Sequence, residues 1–277
     1  MSQTGANIVA NIVANGRFFP IDLIVFDKDG TLIDFYYLWA AKAKTAVAAL
    51  LAHLDPAWAG AADLESALYH SLGYDPATDR AVSDGPLATA ALAKLGVITA
   101  VVLYQHGLGW HEAEQLAAAH FMPVITAPPT AAEVQPVGDV QRLCRNLHQA
   151  GIQIAILTSD DHRATEATLP LLGITDYVNA VIGGDDPFPN KPAPEALQHL
   201  SRALAVPPAR MAMVGDNVSD LQSGRAAGVG CCIGVLSGTG QKEELDPYAD
   251  VVINSVIEIQ VDSNRQPVTG KSEISTQ

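Results

Sequence analysis

Apolar residues in this chain fall into two patterns, short unbroken runs and longer segments where they recur every third or fourth position. The runs at residues 21–26, 152–157, 211–214, 229–235 and 251–253 have strand length and are rich in branched side chains. They predict parallel strands buried on both faces, and residues 177–182 suggest a further strand. Between them lie helical patterns: residues 140–150 closed by Gly151, a segment reaching Leu172 before Gly173, residues 194–204, and a segment ending at Ala227. Strand and helix in alternation predict an α/β fold, a doubly wound parallel sheet.

Residues 35–136 break that alternation. Phe35, Leu38, Trp39, Ala43, Ala46, Val47, Leu50, Leu51 and Leu54 recur at helical spacing until Asp55-Pro56. Residues 63–72 before Gly73, 86–95 before Gly96, and 110–121 also read as helices, while 97–104 fits a strand or a buried helix equally. The segment therefore reads as a smaller, mostly helical domain inserted into the sheet protein, ending in a proline-rich stretch. The expected division is an N-terminal arm at 1–15, a core of 16–34 and 137–262, a helical cap at 35–136, and a disordered tail at 263–277. The arm carries a tandem repeat, Asn7-Ile8-Val9-Ala10 then Asn11-Ile12-Val13-Ala14, too short for a repeat architecture, and reads as extended or mobile.

Composition narrows the partners. Of 277 residues, 48% are hydrophobic, enough for a sizeable core, and 17% are charged, too few for a disordered chain. A formal net charge of -14 argues against nucleic acid or an anionic membrane surface as the main partner. It also requires any phosphate site to be locally cationic. No apolar run is long enough to span a bilayer, and the start lacks the basic and apolar regions of a signal peptide. The three cysteines, Cys144, Cys231 and Cys232, form no disulfide framework and suit a reducing cytoplasm. The adjacent pair reads as core filling.

The candidate chemistry lies where strands run out. After the first run come Asp27-Lys28-Asp29-Gly30-Thr31. Strand alternation lets Asp27 and Asp29 project together with Lys28 pointing away, and two adjacent carboxylates invite a hard cation such as magnesium. The alternative for this stretch alone is an Asp-Gly turn. Thr158-Ser159-Asp160 follows the second run with hydroxyls beside a helix start, where anions are favoured, although the same residues could simply cap that helix. Asn190-Lys191-Pro192 places a lysine before another helix. Gly215-Asp216-Asn217-Val218-Ser219-Asp220 offers two more carboxylates, or a turn and cap. A carboxylate nucleophile, a metal, a hydroxyl and a lysine are what phosphoryl transfer through an aspartyl-phosphate requires.

In these motifs and their order the chain resembles the haloacid dehalogenase superfamily, in the branch similar to phosphoglycolate phosphatases, over about residues 21–34 and 137–253. The resemblance implies a Rossmann-like core with its cap inserted after the first motif. It implies Asp27 as nucleophile and metal ligand, and Asp29 as general acid, then base, with its backbone oxygen on the metal. Thr158 and Lys191, with Ser159 alongside, would bind the phosphoryl group, and Asp216 with Asp220 would hold Mg2+. The implied substrate is a small phosphorylated metabolite. Asp29 favours phosphate ester hydrolysis over dehalogenation or phosphonate cleavage, since those relatives lack the second aspartate. A phosphomutase, a non-catalytic protein retaining the fold, and a monomer or homodimer all stay open. Lys28 departs from the family pattern and is expected not to touch the chemistry. The cap is expected to act as a lid, with residues 104–111 as the first candidates for substrate contact, the alternative being a dimerisation surface.

Overall fold

The computed structural model describes residues 11–55 and 62–262. The chain opens with β1 (Asn11–Ala14) and β2 (Arg17–Pro20), then enters β3 (Leu23–Phe26). A π-helical turn, Tyr36–Ala40, begins the inserted segment and runs into α1 (Ala41–Leu51). There follow α2 (Ala62–Leu72), the hairpin β4 (Tyr74–Asp75) and β5 (Arg80–Ala81), and α3 (Pro86–Thr89). The cap continues with α4 (Leu92–Gln105), α5 (Trp110–Leu116), a second π-helical turn (Ala117–Phe121) and α6 (Met122–Ile125). The core resumes with α7 (Val140–Gln149), β6 (Gln153–Leu157), α8 (His162–Leu172), β7 (Ala180–Ile182) and α9 (Glu195–Ala203). It ends with β8 (Met211–Gly215), α10 (Val218–Ala227), β9 (Cys231–Val235), α11 (Lys242–Leu245), β10 (Val251–Ile253) and β11 (Gln260–Val261).

The main sheet has the order β10-β9-β8-β3-β6-β7, with every pairing parallel. Its strands are buried on both faces, as their unbroken apolar runs require. Ile24 and Phe26 pack into one hydrophobic cluster, Leu23 and Val25 into the other. Cys231 and Cys232 divide in the same way, one to each face. All three cysteines are buried free thiols, and burial pushes Cys232 up to about 11 and Cys144 up to about 12. They fill the core.

Register brings the strand ends together. Phe26 pairs with Ile156 on one side and Val214 on the other, so Asp27, Thr158 and Asp216 emerge side by side. The chain visits β6 and β7 on one flank of β3, then β8 to β10 on the opposite flank. The crevice at such a reversal, beyond the carboxyl ends of the strands, is where ligands bind in open α/β sheets.

Two open readings are decided and one expectation is corrected. Residues 11–14 are a strand between β2 and β11 in a second, antiparallel sheet, with Ile12 and Ala14 fully buried. The second copy of the short repeat is therefore core, and the first lies outside the described residues, as do Pro56 and the tail from residue 263. Residues 97–104 are helical. The helix foreseen for 86–95 instead breaks at Ala90–Ala91 and restarts as α4, which runs straight through Gly96. A Cβ there would sit 2.8 Å from the Met122 sulfur, so this glycine allows two helices to approach and does not end one. Among the described residues, no helix is long and apolar enough to cross a membrane.

Candidate active site

The backbone turns sharply after β3. The Lys28 carbonyl accepts N–H groups from Leu32 at 2.8 Å and Ile33 at 3.1 Å, which folds residues 27–33 over the sheet edge. Asp27 still follows the strand, its N–H donating to the Val214 carbonyl at 2.8 Å. Gly30 holds φ +91°, and a Cβ there would lie 2.6 Å from the Asp216 carboxyl carbon. Only glycine permits both that backbone angle and that approach.

Asp27, Asp216 and Asp220 are buried, and each offers an oxygen within 4.8 Å of the others. Burial pushes Asp27 up to about 6 against the pull of Lys191, and burial with repulsion from Asp27 and Asp220 raises Asp216 well above the usual range. Such a set is electrostatically incomplete, and a divalent cation with oxygen preference fits it. Two of these carboxylates are held from behind. The Thr239 N–H (2.7 Å) and hydroxyl (3.2 Å) donate to Asp216 Oδ2. The Asn217 N–H donates to Asp220 Oδ2 at 2.9 Å as part of the capping box that starts α10.

Lys191 Nζ reaches Asp27 Oδ1 at 2.7 Å, Asp220 Oδ1 at 2.5 Å and the Leu157 carbonyl at 3.2 Å. Burial opposes its charge, but the two carboxylates prevail and raise it above the usual lysine value. The Thr158 hydroxyl accepts the Asp160 N–H at 3.1 Å, which leaves its own proton for the cleft. Ser159 also lines the cleft, but its hydroxyl donates across to the Thr89 carbonyl of the cap at 3.3 Å.

Lys28 does not point away. It is fully buried and pairs with Asp160 at 2.5 Å and Asp29 at 3.0 Å. Strand alternation fails because β3 ends at Phe26 and the turn re-aims the next side chains. Burial pushes Asp29 up to about 6 despite Lys28, with Asp160 and Asp27 adding to the rise. Asp29 lies outside the three-carboxylate cluster. The Trp39 indole N–H acts on this carboxyl and pulls its pKa down, and neither Asp29 Oδ1 nor that nitrogen has another hydrogen-bond partner among the described residues.

The seven residues singled out in the sequence, Asp27, Asp29, Thr158, Ser159, Lys191, Asp216 and Asp220, all line one cleft. Asp160, Asn217 and Ser219 join them from the core. From the cap come Phe35, Trp39, Leu87, Ala88, Ala90 and Leu92. Residues 104–111, the expected cap contacts, are not in this lining; Tyr104 and Trp110 stack edge to face at the surface. The break between α3 and α4, unmarked in the sequence pattern, is what brings Ala90 and Leu92 over the site. The Asn217 amide donates to the Ser83 carbonyl, a further tie between core and cap.

Fold and site define a doubly wound α/β protein with a carboxylate–lysine centre under an inserted helical cap. A model of the haloacid dehalogenase-like hydrolases matches residues 21–228, and the chain belongs to that family. It is 34% identical over 131 residues to a phosphoglycolate phosphatase of Neisseria meningitidis serogroup A, covering 46% of this chain and 54% of that one. A Vibrio vulnificus phosphoglycolate phosphatase is 29% identical over 208 residues, covering 75% of this chain and 81% of its own. The chain thus spans about half the length of the first curated relatives it matches, and more of others. The crystal structure of a predicted phosphoglycolate phosphatase from Haemophilus somnus 129PT superposes with a TM-score of 0.58 at 17% identity, covering 85% of this chain and 94% of its own. At that identity the likeness is one of fold.

Proposed function

We propose that this protein is a magnesium-dependent phosphatase that hydrolyses a small phosphomonoester through an aspartyl-phosphate. The observation that carries this reading is the convergence of Asp27 from the end of β3, Asp216 and Asp220 from the turn after β8, and Lys191 from the loop before α9 into one buried centre. Asp27 would attack phosphorus as the nucleophile. The Lys191 ammonium and Thr158 hydroxyl would hold the phosphoryl oxygens, a positioning and charge-neutralising task that dominates this chemistry. Asp29 would give its proton to the departing ester oxygen, then take one from the water that hydrolyses the intermediate. A carboxyl poised near 6 suits both halves of that duty better than an ordinary one. Asp27, Asp216 and Asp220 would hold Mg2+, with the Asp29 backbone carbonyl added by family resemblance; bound there, the ion offsets the carboxylates and polarises the phosphoryl group.

The names of the curated relatives support a small phosphorylated metabolite as substrate, and the buried thiols suit a reducing cytoplasm. The test is phosphate release from a panel of small phosphomonoesters with magnesium, with chelator, and with magnesium restored. Turnover that needs the metal is expected. Absence of turnover across the panel, or turnover indifferent to exhaustive chelation, contradicts the proposal.

A further inference from the structure

Asn217 stands where two carboxylates of the metal centre meet the cap. Its backbone N–H donates to Asp220 Oδ2 at 2.9 Å, within the capping box that opens α10. Its side-chain oxygen accepts the Ser219 N–H and hydroxyl, both at 3.0 Å. A backbone N–H can only donate, so this contact fixes which way the amide is turned. Its nitrogen then faces the Ser83 carbonyl of the cap, to which it donates, and the Thr239 hydroxyl at 3.4 Å. That hydroxyl donates in turn to Asp216 Oδ2 at 3.2 Å, beside the Thr239 N–H at 2.7 Å. A single residue, 7% exposed, thus holds Asp220 directly, Asp216 through Thr239, and the cap through Ser83.

Ser83 is gripped from both ends. Asn217 takes its carbonyl, and its hydroxyl donates to Glu244 at 3.1 Å. The other Glu244 oxygen accepts the Gln241 N–H at 3.0 Å to cap α11, just past the loop that carries Thr239. The turn around Ser83 is braced within the cap. Val82 N–H donates to the Gly73 carbonyl at 2.8 Å and Gly85 N–H to the Val82 carbonyl at 2.9 Å. Gly73 and Gly85 cross so closely that a Cβ on Gly73 would lie 3.0 Å from the Gly85 Cα. The turn runs directly into α3, whose Leu87 and Ala88 line the cleft. The seat of Ser83 therefore decides the position of that part of the roof.

Capping a helix needs only the side-chain oxygen, which serine supplies as well as asparagine does. The amide nitrogen has no part in the cap of α10 and serves the junction instead. We propose that Asn217 is a positioning residue that couples metal binding to cap closure, holding Asp220 and, through Thr239, Asp216 on one side and Ser83 on the other. Carboxylates steadied by a seated cap take up a cation with less rearrangement. By linkage the cation must then favour the seated cap by the same factor. The inference rests on the metal assignment within the phosphatase reading, and its measurements need neither substrate nor turnover.

The first measurement is calorimetric titration of magnesium into the natural protein and into Ser83→Ala. Ser83 lies outside the cleft lining, and its hydroxyl bonds Glu244 and no carboxylate of the metal centre. The variant should nevertheless bind magnesium about threefold to tenfold more weakly, the effect of one net hydrogen bond. The second is hydrogen exchange over residues 82–89 with and without magnesium. Exchange there should slow with magnesium in the natural protein. Asn217→Ser keeps a helix cap but removes the amide, so that slowing should vanish while exchange within α10 stays protected and reports an intact helix. Natural magnesium affinity in Ser83→Ala, or undiminished slowing in Asn217→Ser, overturns the coupling. No magnesium binding by the natural protein would overturn the metal assignment and this inference together. Both couplings present in a protein that hydrolyses no phosphomonoester would support the inference and count against the phosphatase reading alone.

Discussion

Lys28 shows how a single side chain can carry the electrostatics of a site without facing its ligand. Its ammonium lies between Asp29 and Asp160 with almost no exposure. Burial works against the charge, yet the two carboxylates hold its pKa above the usual lysine value. Lys28→Met would leave Asp160 buried and unpaired, a loss of about 3–5 kcal/mol, measurable by urea unfolding at neutral pH. Adding Asp160→Asn should recover part of that loss. Asp216 behaves oppositely, because burial and neighbouring carboxylates raise it. A carboxyl whose folded pKa is raised adds stability below its unfolded value of about 3.8, and that contribution is lost as pH climbs. In chelator, Asp216→Asn should therefore raise the melting temperature at pH 7.5, by about 2–4 °C for each kcal/mol relieved, and have little effect near pH 4. Destabilisation at pH 7.5 would contradict the like-charge account. Six of the seven candidate residues were legible because they follow an apolar run, and Lys191 because it stands just before a helix. Lys28, Asp160 and Trp39 were not, since their roles depend on a turn and on an approach between segments far apart in sequence.

At the scale of elements, the site is an outcome of strand register together with close backbone approach. The loop after β9 comes so near Asp216 that a Cβ on Gly238 would lie 2.0 Å from its Oδ2. The same loop supplies the Thr239 donors to that oxygen. Gly238→Ala must displace a buried, hydrogen-bonded carboxylate, so it should weaken magnesium activation by about tenfold or more, read from the metal dependence of turnover. Unchanged activation would show that Asp216 does not ligate. The parallel strands were readable because burial on both faces leaves continuous apolar runs. The edge strands β2, β4, β5 and β11 were missed because their largely exposed residues leave no continuous apolar run. Glycine was an unreliable guide to helix ends. Gly73, Gly151 and Gly173 do close helices with positive φ, whereas Gly96 serves packing between α4 and the segment holding Met122.

Across the whole molecule, the division of labour follows the division of the chain: the sheet core carries the charged chemistry and the inserted segment supplies a largely apolar roof. The two halves meet through Ser159 with Thr89, Asn217 with Ser83, and Ser83 with Glu244, all exchangeable polar contacts around the cleft. That pattern suits a cap that closes over substrate and excludes water. Which cap residues face the cleft was not readable, because it depends on how α3 and α4 break. The account as a whole rests on Asp27 becoming phosphorylated. The direct measurement is mass spectrometry of protein acid-quenched during turnover of a phosphomonoester with magnesium, with Asp27→Asn run alongside. The account predicts one added phosphoryl group on the peptide containing Asp27, none in the variant, and turnover in the variant lower by about three orders of magnitude or more. A phosphoryl group on another residue, or near-normal turnover in Asp27→Asn, would contradict it.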